Sequence, residues 1–229
     1  MEVKALVLYS GGLDSTCLLY QAVKRYGKMN VYVLNITYGS KHNSIERECA
    51  QYHVNKLGLE SQYIEHDISH VFEFTDCSLL KHSTKDVPDG TYEEQQGRSE
   101  TPVDTYVPYR NGLFISVAVS IAYQLNIDHV YLAVHKGDTV AAAYPDCTPQ
   151  FIIHQCRAAQ VGTSNKVSVF APFVKRTKEE VAQAGYDAGM TEEDFNNTHS
   201  CYKGIKGGCG TCATCIERNN ALKKIFHVK

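Results

Sequence analysis

Ala5-Leu6-Val7-Leu8-Tyr9-Ser10-Gly11-Gly12-Leu13-Asp14-Ser15-Thr16 is the stretch on which the fold turns. Lys4 to Tyr9 reads as a short strand, Ser10-Gly11-Gly12 ends it in a tight turn, and Leu18, Leu19, Ala22 and Val23 follow at helical spacing. Strand, turn and helix in that order aim the N–H groups of a helix N-terminus past the end of a strand. The helix dipole and two residues without side chains favour an anion there. The turn is neither G-x-x-x-x-G-K-S/T nor G-x-G-x-x-G, so the two commonest nucleotide fingerprints are excluded. On chemistry alone, a phosphate cradle competes with an ordinary glycine turn before a helix.

The same alternation continues outward. Val31 to Tyr38, Gln62 to Ile68, His129 to His135 and Val167 to Ala171 carry strand signals. Asn43 with Glu46 suggests a capping box opening a helix to about Leu57, Asn111 can cap a helix through Ile121, and Pro149 to Val161 suits a helix. Thr177-x-x-Glu180 is a second capping-box signature, before Val181, Ala184 and Ala188. Strands alternating with helices predict an α/β fold with a doubly wound, mostly parallel sheet, its ligand beyond the carboxyl ends of the strands. The polar stretch Ser69 to Arg110 is far longer than ordinary connections, and part of it is expected over the site. No internal repeat stands out.

The chain has 229 residues, 43% hydrophobic and 21% charged, which suits one α/β domain with an appendage and argues against disorder. A formal charge of -2 gives no global positive field, so stable nucleic-acid binding is not expected. The most apolar run, Leu113 to Ile127, is interrupted by Ser116, Ser120, Tyr123, Gln124 and Asn126 and reads as a buried helix rather than a membrane span. Ala5 to Tyr9 is too short for a signal-peptide core, so a cytoplasmic location is expected. Nine cysteines are an odd count, and four fall together as Cys201, Cys209, Cys212 and Cys215, a C-x7-C-x2-C-x2-C pattern among Gly204, Gly207, Gly208 and Gly210. Four thiolates that converge suit a tetrahedral ion with no open position, hence a structural one. Zinc fits best, and an iron–sulfur cluster is the alternative. Cys17, Cys49, Cys77, Cys147 and Cys156 are scattered and read as packing residues.

Ser-Gly-Gly-x-Asp-Ser after an N-terminal strand resembles the pyrophosphate loop of the ATP pyrophosphatase superfamily. Taken with Tyr38-Gly39-x-x-His42, Val107-Pro108-x-Arg110-Asn111, Tyr144-Pro145-Asp146-Cys147 and Cys201-Tyr202-x-Gly204-Ile205-x-Gly207, the chain resembles, nearly end to end, the 7-cyano-7-deazaguanine synthase (QueC) family of queuosine biosynthesis. The resemblance implies an adenine nucleotide α-hydrolase-like domain over residues 1–190, with a C-terminal zinc-binding helical region, 191–229, packed on it. It implies a usually dimeric, zinc-bearing ligase that uses ATP and Mg²⁺ to convert 7-carboxy-7-deazaguanine and ammonia, by way of an adenylated carboxylate and an amide, into the 7-cyano compound.

By that resemblance Tyr9, Ser10, Gly11, Gly12, Leu13, Asp14, Ser15 and Thr16 would contact ATP. Asp14 would orient Mg²⁺, and Ser10, Ser15 and Thr16 would donate to phosphate oxygens. Arg110 is the candidate for holding the carboxylate or the α-phosphate, and Asp146 for accepting hydrogen bonds from the purine-like N–H groups. Tyr144 can stack on the flat base, while Asn111, His135 and Asp138 complete the candidate substrate contacts. Three positions depart from the family pattern: Tyr109 for the usual Gly, Ser40 for Gln and Thr148 for Arg. A bulky Tyr109 beside Arg110 is expected to reshape the pocket. The alternatives are a member stopping at the 7-amido compound and a pyrophosphate-loop enzyme modifying tRNA.

Overall fold

A computed structural model of the chain describes residues 2–96, 102–138 and 143–226. Five strands, β1 (Ala5–Leu8), β2 (Val31–Thr37), β3 (Tyr63–Asp67), β4 (His129–Tyr131) and β5 (Ser168–Phe170), form one sheet in the order β3-β2-β1-β4-β5. Every pairing is parallel, with Val7 of the central strand opposite Val33 on one side and Tyr131 on the other. The chain winds outward from β1 to β3 and then returns to begin β4 on the other flank, so a crevice opens above β1 and β4.

Successive side chains of β1 point to opposite faces, and both faces are covered. Ala5 and Val7 pack with Leu13, Cys17 and Leu18 of α1 (Leu13–Tyr26), Val54 of α2 (Asn43–Leu57) and Val181 of α6 (Lys178–Asp187). Leu6 and Leu8 join the opposite layer, with Ile115, Ala118 and Ala122 of α4 (Arg110–Gln124) and Ile152 of α5 (Pro149–Gly162). Two short helices, α3 (Tyr92–Gln96) and α7 (Glu192–Asn196), and the terminal α8 (Ala213–Phe226) complete the chain. α8 lies on α6 and sends Ala221 into the first layer, whereas Cys201, Cys212 and Cys215 join the second. Among the described residues no helix is long and apolar enough to cross a membrane.

Some local signals are outweighed by tertiary ones. The Thr177 capping box forms both of its bonds, Glu180 N–H to Thr177 Oγ1 at 3.3 Å and Thr177 N–H to Glu180 Oε2 at 2.8 Å. Asn43 and Asn111, by contrast, are not caps. Asn43 is the first residue of α2 after His42, and Glu46 is turned toward the crevice. α4 begins at Arg110 after Tyr109, and Asn111 N–H donates to Asp146 Oδ2 at 2.9 Å. A carboxylate 35 residues away thus meets a free donor at the start of α4.

Apart from Arg110 at its end, the described part of the stretch from Ser69 to Arg110 does not cover the site; residues 97–101 lie outside the described residues. Phe72, Cys77, Leu79, Leu80, Val87, Tyr92, Val103 and Val107 are buried in the layer below α4. Gly90 N–H donates to Thr211 O at 2.9 Å, which ties this segment to the cysteine-rich turn. The spaced apolar side chains were hidden among polar neighbours without helical or strand periodicity.

Gly11 has a left-handed φ of +87°, and a Cβ on it would stand 2.3 Å from Glu46 O and 2.8 Å from Ala50 N. Gly11→Ala is expected to cost at least about 2 kcal/mol in urea unfolding, combining backbone strain with displacement of α2. Gly58→Ala, in the left-handed helical region (φ 66°, ψ 49°) and crowded only by the far end of the Lys28 side chain, is the control and should cost only about 1 kcal/mol.

Candidate active site

The crevice at the carboxyl end of the sheet is a cleft of about 210 Å³, floored by Leu8, Tyr9 and Leu34. Its first wall is the glycine turn. Gly12 caps α1 without any side-chain bond, so the start of the helix stays open to a ligand. Ser10 Oγ accepts from Gly12 N–H at 3.1 Å, and Ser15 Oγ accepts from Ser10 N–H at 3.3 Å and lies 3.2 Å from Ser10 Oγ. These bonds hold two hydroxyls side by side at the helix mouth. Of the segment Tyr9 to Thr16, the residues lining the cleft are Tyr9, Ser10, Gly12, Leu13, Asp14 and Ser15. Gly11 faces α2 instead, and Thr16 turns inward, its hydroxyl donating to Gly12 O at 2.8 Å.

Asp14 is paired. Lys178, the first residue of α6 and itself buried, places Nζ 2.6 Å from Asp14 Oδ2 and 3.1 Å from His135 Nε2. Burial works to raise the Asp14 carboxyl, but the Lys178 ammonium and then His135 overcome it and hold the pKa below the ordinary value. Asp14 Oδ1 is buried without a partner. Asp138 lines the cleft and accepts from His135 N–H at 2.9 Å, while His135 stands behind Lys178, outside the lining. Lys178 escaped sequence reading; the signal was a lysine at the first position of a capping-box helix that follows a strand.

The opposite wall belongs to α4 and the end of β2. The guanidinium of Arg110 lies between two rings, 5.0 Å from the Tyr38 centroid and 5.8 Å from that of Phe114. Nη1 donates to the Tyr38 hydroxyl at 3.0 Å, and Nε is buried without a partner. His42 stacks on Tyr202 with centroids 5.5 Å apart, and burial, with His199 and Arg110 nearby, pushes its pKa down to about 3, so the ring is neutral. Glu46 also lines this wall, with Oε2 3.6 Å from His42 Nε2. Tyr38, His42 and Tyr202 belonged to the quoted family segments without a role; Glu46 carried no signal except a misread capping box.

The remaining candidates separate. Tyr144 lines the cleft, buried, with its hydroxyl 2.6 Å from Thr105 Oγ1 and its ring edge-on to Tyr92. Asn111 lines it too, its amide reaching Cys147 Sγ at 3.1 Å. Asp146 lies behind the wall, 3% exposed, with one oxygen occupied by α4, and burial raises its pKa. Tyr109 does not reshape the cleft, because it points away from it. At φ +57° its ring lies over Gly112 and edge-on to Phe151, and its hydroxyl accepts from Gln155 at 2.6 Å. The left-handed backbone at this position is one that glycine adopts without strain.

The C-terminal segment closes the cleft with His199, Ser200, Tyr202 and Thr214. His199 N–H donates to Gly11 O at 3.0 Å. Just beyond, the sulfurs of Cys201, Cys209, Cys212 and Cys215 lie within 4.8 Å of one another, with Cys209 and Cys215 3.9 Å apart. Zn–S bonds of about 2.3 Å in a tetrahedron require sulfurs about 3.8 Å apart, so the four thiols suit one such ion. Among the described residues this is the one cluster of that kind.

The family described as "Queuosine biosynthesis protein QueC" matches residues 4–226. A 7-cyano-7-deazaguanine synthase of Porphyromonas gingivalis is 38% identical over 221 residues, 96% of this chain and 93% of that protein. One from Marinomonas sp. is 34% identical over 222 residues, 97% of this chain and 94% of that protein. A solved structure, the U34-tRNA thiolase NcsA of Methanococcus maripaludis with its 4Fe-4S cluster, aligns over 100% of this chain and 74% of its own at 11% identity and a TM-score of 0.49. With a match that runs from β1 to the end of α8, the chain belongs to the QueC family, the 7-cyano-7-deazaguanine synthases of queuosine biosynthesis.

Proposed function

We propose that this synthase activates the carboxylate of 7-carboxy-7-deazaguanine by adenylation with ATP, exchanges the AMP for ammonia, and repeats the activation on the resulting amide to reach the nitrile. The observation that carries the reading is one cleft in which an uncapped helix mouth with two hydroxyls faces an arginine whose Nε has no partner. A carboxylate is a poor acceptor for ammonia, and the first wall suits a leaving pyrophosphate while the second suits a carboxylate.

Ser10, Ser15 and the first N–H groups of α1 would hold the β- and γ-phosphates, with Lys178 adding a buried positive charge. Mg²⁺, held through Asp14, would neutralise charge as pyrophosphate departs; the unpartnered Oδ1 of Asp14 is consistent with that use. Arg110 would hold the carboxylate or the α-phosphate, and the ring of Tyr144, with Asn111 and Asp138, would contact the base. Asp146 and His135 would act from behind, through α4 and Lys178. Zinc bound by Cys201, Cys209, Cys212 and Cys215 would fix the C-terminal segment against the glycine turn. The same reading includes a cytoplasmic enzyme divided at residue 190 into an α/β domain and a zinc-binding region, without stable binding to nucleic acid. It also includes a homodimer.

Incubation with the 7-carboxy substrate, ATP, Mg²⁺ and ammonium should yield AMP and pyrophosphate with the 7-cyano product, read by mass spectrometry. ADP and phosphate without AMP would overturn the adenylation. Arg110→Lys keeps the charge but loses the planar fork, and at least a tenfold fall in turnover is expected, about 1.4 kcal/mol of transition-state stabilisation. Parental activity would assign the carboxylate to another residue. Elemental analysis should find about one zinc per chain, lost with folding stability in Cys209→Ser or Cys212→Ser because metal binding and folding are coupled. Iron with sulfide, or unchanged stability without metal, would contradict this.

A further inference from the structure

We propose that Glu46 accepts the protons that the incoming nitrogen sheds, in both amide formation and nitrile formation. The proposal rests on the adenylation reading above and adds a residue to it.

Glu46 is one of the three carboxylates that line the cleft, with Asp14 and Asp138. Its own backbone carbonyl packs against Gly11, so close that no side chain fits between them, and the helix carrying Glu46 therefore cannot shift relative to the phosphate turn. Its side chain faces Ser10 of the turn and Arg110 of the opposite wall, both of which favour its charged form. Among the described residues no lysine pairs with it as Lys178 does with Asp14. The titratable and charged groups that face it are Arg110 from α4, Tyr38 just after β2, His42 just before its own helix and Cys49 on that helix, with His199 behind His42. His42 is neutral, and Arg110 is shared with the Tyr38 hydroxyl.

Burial pushes the Glu46 carboxyl up to about 8 against the opposing pull of Arg110 and Ser10. A proton acceptor works best when its pKa lies near the operating pH. The reaction needs one at this spot. Ammonium must lose a proton to become a nucleophile, and the nitrogen must lose another after attack. As the C–N bond to the activated carbon forms, the C–O bond to AMP breaks with its electron pair leaving on AMP, and the nitrogen's proton passes to Glu46. In the second round the amide oxygen takes the adenylyl group and pyrophosphate leaves. The nitrogen loses one proton to give the imidate; the last N–H proton goes to Glu46 as the C–O bond breaks and the triple bond forms. Water recovers the proton between steps.

Glu46→Gln tests this against a merely structural role, with Glu46→Asp as the conservative variant and zinc content as the check on folding. ATP–pyrophosphate exchange, driven by the 7-carboxy substrate without ammonium, should stay within about threefold of the parent in Glu46→Gln, while amide and nitrile formation fall by about 100-fold. Hydroxylamine, neutral near pH 7, should largely restore product as the hydroxamate. At a fixed concentration of free ammonia, which removes the titration of ammonium itself, the parental rate should rise with pH along an acid limb set well above the ordinary carboxylate range. That limb should vanish in Glu46→Gln and persist in Glu46→Asp. Equal loss of exchange and amide formation would make Glu46 a phosphate-positioning residue and overturn the proposal, as would retained amide formation in Glu46→Gln. A parent enzyme that shows no exchange and forms no AMP overturns the adenylation reading itself, and this proposal with it.

Discussion

The structure turns on the close approach made at Gly11. On one side its missing side chain lets α2 press its backbone against the glycine turn; on the other its carbonyl accepts from His199 N–H at 3.0 Å. One residue therefore fixes three segments distant in sequence: the turn after β1, the helix after β2, and the C-terminal strap that leads to the thiolates. The turn that forms the first wall, and Glu46 on α2 across from it, take their positions from this contact. Such precision matters because displacement of a positioned group by even an ångström is costly to catalysis.

Charge in the cleft is sorted by burial. Asp14 and Lys178 form a close, largely buried pair that lowers one pKa and raises the other. A buried pair is weak as a source of stability, since desolvation offsets the attraction, but it holds an acid and a base side by side in the wall of the cleft. Across the cleft the guanidinium of Arg110 is desolvated between aromatic faces, and the neighbouring imidazole of His42 carries no charge. The two walls are thus electrically distinct although both end in a cation.

The thiolate cluster joins this arrangement through the chain rather than through the cleft. Cys201 follows His199 and Ser200 by one or two residues, and Cys212 and Cys215 bracket Thr214, so residues that line the cleft alternate with residues of the cluster. The segment that precedes α4 braces the cluster from the far side through Gly90 and Thr211. That segment read as a loop because Phe72, Leu79, Val87 and Val103 follow neither a period of 3.6 nor of 2.

What the sequence determined by itself was whatever local chemistry carries: the order of strands and helices, the glycine turn, the Thr177 capping box and the spacing of four cysteines. Each depends on residues within a few positions of one another, and each keeps its meaning whatever surrounds it. Only the tertiary structure decided which side chains share the cleft. Glu46 and Lys178 stand in sequence as helix-terminal charges like many others, and they become site residues because the turn packs on α2 and α6 begins beside Asp14. In the same way Asn111 lost its capping role to Asp146, and Tyr109 turned toward α5. Burial and partnership are properties of distant segments brought into contact, and no local pattern encodes them.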